Sequence, residues 1–211
     1  MTKVKICGLR RKEDIDFVNT YLPEYVGFVF AKSKRQVSKE QAKELRSFLV
    51  PGIKAVGVFV NEPVEKVARI AVFCGLNVIQ LSGDENPEYV KSLKGILSPV
   101  CTETCEIWKA VRVKDEESFR GITEYPVDAI LLDTYKEGYY GGLGRTFDWN
   151  HAVAAKKYGR IILAGGLNPE NVIEAVSMVR PFAVDVSSGV EVDGLKDEIR
   201  IRDFINTVRN T

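Results

Sequence analysis

Histidine and cysteine are scarce in this sequence, which limits the kinds of site that it can build. The 211 residues include one histidine and four cysteines, and Cys7, Cys74, Cys101 and Cys105 are scattered along the chain. No zinc-ligand spacing is present, and Cys101-x-x-x-Cys105 lacks the spacing of a Cys-x-x-Cys redox pair. We therefore expect free thiols, no metal site and no disulfide framework.

Excess charge of one sign and long apolar runs are also missing. The 30 basic and 29 acidic residues leave a formal net charge of +1, which argues against a nucleic-acid partner or a membrane-surface protein. No apolar run approaches the roughly 18 residues that span a bilayer. The first apolar stretch ends at Gly8, too early for the core of a signal peptide. We expect a cytoplasmic protein that folds as one domain over residues 1–211.

Short β-rich runs alternate with longer amphipathic runs along the whole chain. Several short runs, such as residues 129–132, are apolar throughout, as expected of parallel strands that helices cover on both faces. The predicted strands are residues 3–7, 25–30, 54–60, 77–81, 105–113, 127–133, 160–164 and 183–186. The predicted helices are 12–21, 38–50, 63–74, 87–95, 115–121, 148–159, one opening at Pro169, and 196–208, with loops at 96–104 and 134–146.

Eight strand–helix pairs in a chain of this length predict an α/β fold, a single (β/α)8 TIM barrel. An open doubly wound sheet is the alternative. Such a sheet usually has fewer strands, and the dinucleotide-binding pattern Gly-x-Gly-x-x-Gly does not follow the first strand. In a barrel the active site lies at the carboxyl ends of the strands, so the residues at those ends are the candidates for chemistry.

Two strand ends carry candidate acid–base groups. Cys7 ends the first strand; it is either a small buried hydrophobic residue or, as a thiolate, a base that accepts a proton from carbon. Asp133 directly follows the apolar run 129–132; it is either a cap or a poorly solvated carboxyl group that retains its proton as a general acid must.

Other strand ends offer groups that bind anions. Arg35 follows the second strand, either in a solvated loop or as a guanidinium that holds a carboxylate or phosphate. Asp185, within the last strand, either bonds a sugar hydroxyl or has a structural role. Barrels often bind phosphate through the turns after the seventh and eighth strands. Those turns contain Gly165, Gly166, Ser187, Ser188 and Gly189.

Eight segments in order, each at a strand end, resemble the phosphoribosylanthranilate isomerase family. They include Lys5-Ile6-Cys7-Gly8-Leu9, Gln80-Leu81-Ser82-Gly83-Asp84-Glu85, Leu131-Leu132-Asp133-Thr134, Leu163-Ala164-Gly165-Gly166-Leu167 and Val184-Asp185-Val186-Ser187-Ser188-Gly189-Val190-Glu191. The segments run from residue 5 to residue 191, so the resemblance covers essentially the whole chain.

The resemblance implies an Amadori rearrangement in tryptophan biosynthesis, in which an aminoaldose phosphate becomes an aminodeoxyribulose phosphate. It places the general acid on Asp133 and the general base on Cys7, and it pairs Arg35 with the anthranilate carboxylate. The backbone around Gly165, Gly166, Ser188 and Gly189 would hold the phosphate. The reaction requires no metal or redox cofactor. The implied partner is the small-molecule substrate, and the protein would be a monomer or a homodimer.

One position departs from the family pattern. Ser82 stands where the family usually has histidine, and serine does not titrate near neutral pH. Two alternatives stay open: a diverged barrel that binds phosphate without this activity, which Ser82 favours, and, independently of Ser82, another sugar-phosphate isomerase on the same fold. The glycine-rich segment 139–144 is either a flexible connector or a lid over the site.

Overall fold

The computed structural model describes residues 1–98, 105–134 and 148–211. Its eight parallel strands close into a barrel in chain order, and β1 pairs with both β2 and β8. This confirms the predicted α/β barrel, and each strand lies within two residues of its predicted position. The strands are β1 (Lys3–Cys7), β2 (Tyr25–Val29), β3 (Lys54–Phe59), β4 (Val78–Leu81), β5 (Glu106–Val113), β6 (Ala129–Thr134), β7 (Ile161–Leu163) and β8 (Ala183–Val186).

Helices pack around the outside of the barrel. They are α1 (Lys12–Tyr21), α2 (Lys39–Ser47), α3 (Val64–Cys74), α4 (Pro87–Leu97), α5 (Trp149–Ala155), α6 (Val172–Val179) and α7 (Glu198–Arg209). Ser38 caps α2, because its side chain accepts a hydrogen bond from the backbone N–H of Gln41 at 3.1 Å. No helix among the described residues is long and apolar enough to cross a membrane.

The predicted helix over 115–121 is wrong. The chain there forms two 3-10 turns, Glu116–Phe119 and Ile122–Glu124. They are separated by Arg120, whose ψ of 130° is extended, and by Gly121, whose φ of 72° lies in the left-handed region. The helix predicted over 148–159 likewise ends early, with α5 followed by a 3-10 turn at Lys156–Tyr158.

Two other helix boundaries differ from the prediction. The sixth helix begins at Val172 instead of Pro169, because the side chains of Asn168 and Asn171 bind each other's backbone N–H groups at 2.9 Å and form a separate turn. The fourth helix continues through Gly95 to Leu97, which is buried. The rest of the loop predicted at 96–104, and nearly all of that at 134–146, lie outside the described residues.

An additional hairpin after β8 was not predicted. A 3-10 turn at Ser188–Val190 leads into β9 (Glu191–Val192) and β10 (Leu195–Lys196), which pair antiparallel. The connection is Asp193-Gly194, with φ values of 51° and 76°. Positive φ at both central residues is typical of the tight turn that joins antiparallel strands, and Asp-Gly favours it.

The apolar residues form two layers. Inside the barrel, side chains such as Tyr25, Trp108 and Ile162 pack against one another, with the rings of Tyr25 and Trp108 edge to face at 4.9 Å. A larger cluster fills the space between the strands and the surrounding helices. The strands are thus covered on both faces, which explains the uniformly apolar runs in the sequence.

Candidate active site

A cavity of about 440 Å³ opens at the carboxyl end of the barrel. This volume is within the usual range for small-molecule sites. Residues at the ends of all eight strands line it, and the lining includes all but one of the residues predicted from the sequence. Those that line the cavity are Cys7, Arg35, Asp133, Gly165, Gly166, Asp185, Ser187 and Ser188. Gly189 does not; its Cα packs so closely on the carbonyl of Leu167 that a side chain would collide there.

Cys7 shares the inner face of β1 with a lysine that sequence reasoning missed. Lys5 lies two residues earlier, so the strand alternation points both side chains into the barrel. Its ammonium group is fully buried and donates a hydrogen bond to Asp185 Oδ1 at 2.9 Å. Burial raises the pKa of the Cys7 thiol above its usual value, and the positive charge of Lys5 offsets only part of that effect. Lys5 thus favours the thiolate that a base at Cys7 requires.

Asp133 ends β6 on another side of the same cavity. Its Oδ1 accepts a hydrogen bond from the backbone N–H of Thr134 at 2.8 Å. Burial raises the pKa of the carboxyl group to about 6, and the bond from Thr134 offsets only part of that effect. The negative charge of Asp185 acts in the same direction as burial. The side chain therefore retains its proton to a higher pH than an ordinary aspartate.

Gly165 approaches Asp133 so closely that no other residue fits. A Cβ atom there would lie 2.7 Å from the backbone nitrogen of Thr134 and 2.9 Å from Asp133 Oδ1. The φ angle of 83° independently favours glycine. The turn after β7 thus brings its backbone beside the carboxyl group, and Asn171 Nδ2 secures it by donating to the carbonyl of Gly166 at 3.0 Å.

Arg35 lies in the cavity wall, where its guanidinium group forms an ion pair with the carboxylate of Glu191. Its Nε and Nη2 donate to the two carboxylate oxygens of Glu191 at 2.6 and 2.8 Å. Lys196 donates to the same carboxylate at 2.9 Å and to the carbonyl of Ser187, also at 2.9 Å. Sequence reasoning assigned no role to Glu191 or Lys196. The Asp-Gly turn between them was the one local signal for the hairpin that brings them here.

On the opposite side of the rim lies another buried ion pair that sequence reasoning missed. Lys109 Nζ donates to Glu85 Oε2 at 3.0 Å and to the carbonyl of Gly83 at 2.7 Å. Glu85 in turn accepts the backbone N–H of Asn61 at 2.8 Å, which ties the ends of β3, β4 and β5 together. Ser82 lines the cavity beside this pair and accepts a hydrogen bond from Gln80 Nε2 at 3.0 Å.

The segment 139–144, predicted as a connector or a lid, lies outside the described residues. Within residues 1–98, 105–134 and 148–211, no three His, Cys, Asp or Glu side chains are grouped as metal ligands. The described residues that line the cavity supply acid–base groups, Cys7 and Asp133, beside the cationic side chain of Arg35.

Known proteins match this chain over nearly its whole length. A family model described as N-(5'phosphoribosyl)anthranilate (PRA) isomerase matches residues 4–207. An N-(5'-phosphoribosyl)anthranilate isomerase from Acetivibrio thermocellus is 60% identical over 210 residues, which cover 99% of this chain and 96% of that protein.

Solved structures also match the chain over its whole length. The structure of monomers generated from the dimeric phosphoribosylanthranilate isomerase of Thermotoga maritima covers 100% of both chains, with 40% identity and a TM-score of 0.85. A phosphoribosylanthranilate isomerase in complex with reduced 1-(o-carboxyphenylamino)-1-deoxyribulose 5-phosphate covers 100% of both chains, with 38% identity and a TM-score of 0.84.

Proposed function

Because the chain belongs to the N-(5'phosphoribosyl)anthranilate (PRA) isomerase family, we propose that it uses Cys7 as general base and Asp133 as general acid. The reaction converts N-(5'-phosphoribosyl)anthranilate into 1-(2-carboxyphenylamino)-1-deoxyribulose 5-phosphate, a step of tryptophan biosynthesis. The observation that supports the two roles best is their shared cavity. A partly protonated carboxyl group and a thiol beside a buried ammonium group line the same space.

Asp133 acts first. It donates its proton to the ring oxygen of the ribose, the C1–O bond breaks, and the amine nitrogen supplies the electron pair that forms the Schiff base. A carboxyl group with a pKa of about 6 suits this step, because a usual aspartate would have lost its proton almost completely at neutral pH.

Cys7 acts second. Its thiolate takes the proton from C2 of the opened sugar, and the electrons of that C–H bond move to form the enolamine, which tautomerises to the ketone. Lys5 supports the thiolate with its positive charge, and Asp185 keeps Lys5 in place. After the step Cys7 is a thiol and Asp133 a carboxylate, so the enzyme must exchange protons before the next turnover.

The remaining cavity residues bind the two ends of the substrate. Arg35 pairs with the anthranilate carboxylate. The backbone of Gly165, Gly166 and Ser188 receives the phosphate, with Gly189 holding the two turns close together. Asp185, which also lines the cavity, bonds a hydroxyl group of the sugar, and its carboxylate balances the charge of Lys5.

The test is turnover of freshly prepared phosphoribosylanthranilate without added metal, followed by loss of anthranilate fluorescence. We expect rapid decay with the wild-type protein and decay near the spontaneous background with Cys7→Ser. If Cys7→Ser retains wild-type turnover, the base is another residue. If the wild-type protein is also inactive but binds phosphate, the barrel is a binding protein, the alternative that Ser82 leaves open.

The same proposal concerns the cellular location and the oligomeric state of the protein. We infer that residues 1–211 act as a single catalytic domain in the cytoplasm, as a monomer or a homodimer, with the small-molecule substrate as the partner. A reduced, free Cys7 is required by the mechanism, and the cytoplasm keeps thiols reduced.

A further inference from the structure

The hairpin of residues 191–196, here called the rim hairpin, is fastened to the edge of the cavity. Arg10 Nη2 donates to the carbonyl of Gly194 at 2.9 Å, and Arg11 Nη2 donates to the carbonyl of Lys196 at 3.0 Å. Both arginines follow β1, the strand that carries Cys7. The rim hairpin is therefore a fixed part of the site's border.

Glu191 is the residue of the rim hairpin that faces Arg35. Its side chain is 5% exposed, and it receives Arg35 through two hydrogen bonds and Lys196 through a third. Burial alone raises the pKa of Glu191, but the bonds from Arg35 and Lys196 outweigh it and lower the pKa to about 2. The carboxylate is thus charged at any pH at which the enzyme works.

The aliphatic part of the Arg35 side chain, here called its stem, is also closely packed. It crosses Gly8, where a Cβ atom would lie 2.5 Å from Arg35 Cδ. The φ angle of Gly8 is 85°, which independently favours glycine. Arg35 is therefore confined between Gly8 below its stem and Glu191 beside its guanidinium group.

The contact with Glu191 decides which part of Arg35 remains for a ligand. A guanidinium group has five N–H donors, and Glu191 takes the one on Nε and one on Nη2. The edge formed by Nη1 and the second hydrogen of Nη2 remains. Arg35 lines the cavity whereas Glu191 does not, so Glu191 occupies the rear of the guanidinium group and leaves that edge for the cavity.

The charges of the cluster also fit an anion. Arg35 and Lys196 are positive and Glu191 is negative, so the three side chains together carry one net positive charge at the wall of the cavity. Glu191 thus prevents repulsion between two buried cations and leaves a single charge to be matched by a ligand carboxylate.

We propose that Glu191 is a positioning residue, which orients Arg35 so that its Nη1–Nη2 edge receives the anthranilate carboxylate of the substrate. The inference rests on the proposed function, because it specifies how that substrate is recognised. Glu191 itself touches neither the substrate nor the reacting atoms.

The test compares Glu191→Gln with wild type in steady-state turnover of phosphoribosylanthranilate. We expect KM to rise about tenfold or more, the factor associated with a weakened charge-assisted hydrogen bond, while kcat stays within about twofold. The inhibition constant of free anthranilate should rise by a similar factor, and that of inorganic phosphate should not change. Glu191→Asp keeps the charge one methylene further back and should lie between the two.

Glu117→Gln is the matched control, because it removes a carboxylate from an exposed pair with Arg120. It should leave all four constants unchanged. An unchanged KM in Glu191→Gln overturns the proposal, as does equal weakening of anthranilate and phosphate, which would indicate a general collapse of the rim. If Glu191→Gln does not fold, Glu191→Asp carries the test with the same criteria. If the wild-type protein fails to turn over, the proposed function fails, and the anthranilate and phosphate titrations still measure the role of Glu191.

Discussion

Asp133 and Glu191 are two carboxyl groups at the same end of one barrel, and their pKa values move in opposite directions. Burial raises that of Asp133 to about 6, with one backbone N–H as its hydrogen-bond donor. Glu191 is also desolvated, but Arg35 and Lys196 lower its pKa to about 2. Burial alone therefore does not determine the state of a carboxyl group; its partners do.

The difference separates a group that reacts from a group that positions. Among the residues that the structure describes, Asp133 forms no ion pair and the charge of Lys5 is the only one that lowers its pKa, so it can release and regain a proton near neutral pH. Glu191 is held by two cations and stays ionised throughout the reaction. The same end of the barrel thus holds one carboxyl group that can exchange its proton and one that stays ionised.

The largest effect on activity is expected from replacing Asp133, the carboxyl group that reacts. Asp133→Asn keeps the shape and the acceptor for Thr134 but has no proton to donate, so kcat should fall by about 10²- to 10⁴-fold. The measurement is single-turnover decay of substrate fluorescence at saturating enzyme. Retention of more than a tenth of the wild-type rate would assign the acid to another residue.

A smaller effect is expected from removing the cation that Glu191 holds. Arg35→Ala should raise KM by about 10- to 100-fold with a lesser change in kcat, because a charge-assisted contact to the substrate is lost while Cys7 and Asp133 remain. Steady-state kinetics with phosphoribosylanthranilate provides the two constants separately. A fall in kcat alone would place Arg35 in the chemical step.

The same comparison predicts a stability difference with a definite sign. The folded pKa of Asp133 is raised above 3.8, so its ionisation opposes folding, and stability falls as pH rises from about 4 to about 6. Asp133→Asn removes that cost, which is at most about 3 kcal/mol above pH 6 and vanishes below pH 4. Urea unfolding of both proteins at pH 7.5 and pH 4 measures it. Equal differences at the two values would contradict the assignment.

The smallest effect is expected at the turn of the rim hairpin. Gly194→Ala has space for the new methyl group, but the φ of 76° costs an L-residue about 1 kcal/mol. We expect a thermal shift of a few degrees and a KM within about threefold of wild type, since Glu191 and Lys196 remain paired. A KM change as large as that of Glu191→Gln would show that the turn itself orients Arg35.

The sequence was most informative where the pattern is local. Eight β-rich runs, of which several such as 129–132 are apolar throughout, predicted the strands, and their carboxyl ends predicted Cys7 and Asp133 as candidates. The helix predicted over 115–121 was wrong although its acidic residues suited a helix start. The chain forms a single 3-10 turn and leaves helical geometry at Arg120, whose ψ is 130°.

The ion pairs of the site could not be predicted from the sequence. Arg35 and Glu191 are 156 positions apart, and Lys5 and Asp185 are 180 apart. No local pattern encodes such a pairing, because it depends on barrel closure and on the register in which β1 meets β8. The Asp193-Gly194 pair is a local signal for a tight turn, but the role of the hairpin becomes clear only from its contact with Arg35.

The contact of β1 with β8 has a consequence for the order in which the protein becomes an enzyme. Ser187 Oγ donates to the carbonyl of Cys7 at 3.0 Å, and this bond too spans 180 positions. Such distant contacts form slowly, after local helices and neighbouring strands. During synthesis the Cys7 thiol is therefore made well before Ser187, and it is buried only when β8 joins β1. The rate at which Cys7 becomes protected from alkylation in a refolding chain would measure the rate of barrel closure. That protection should appear at the same time as catalytic activity.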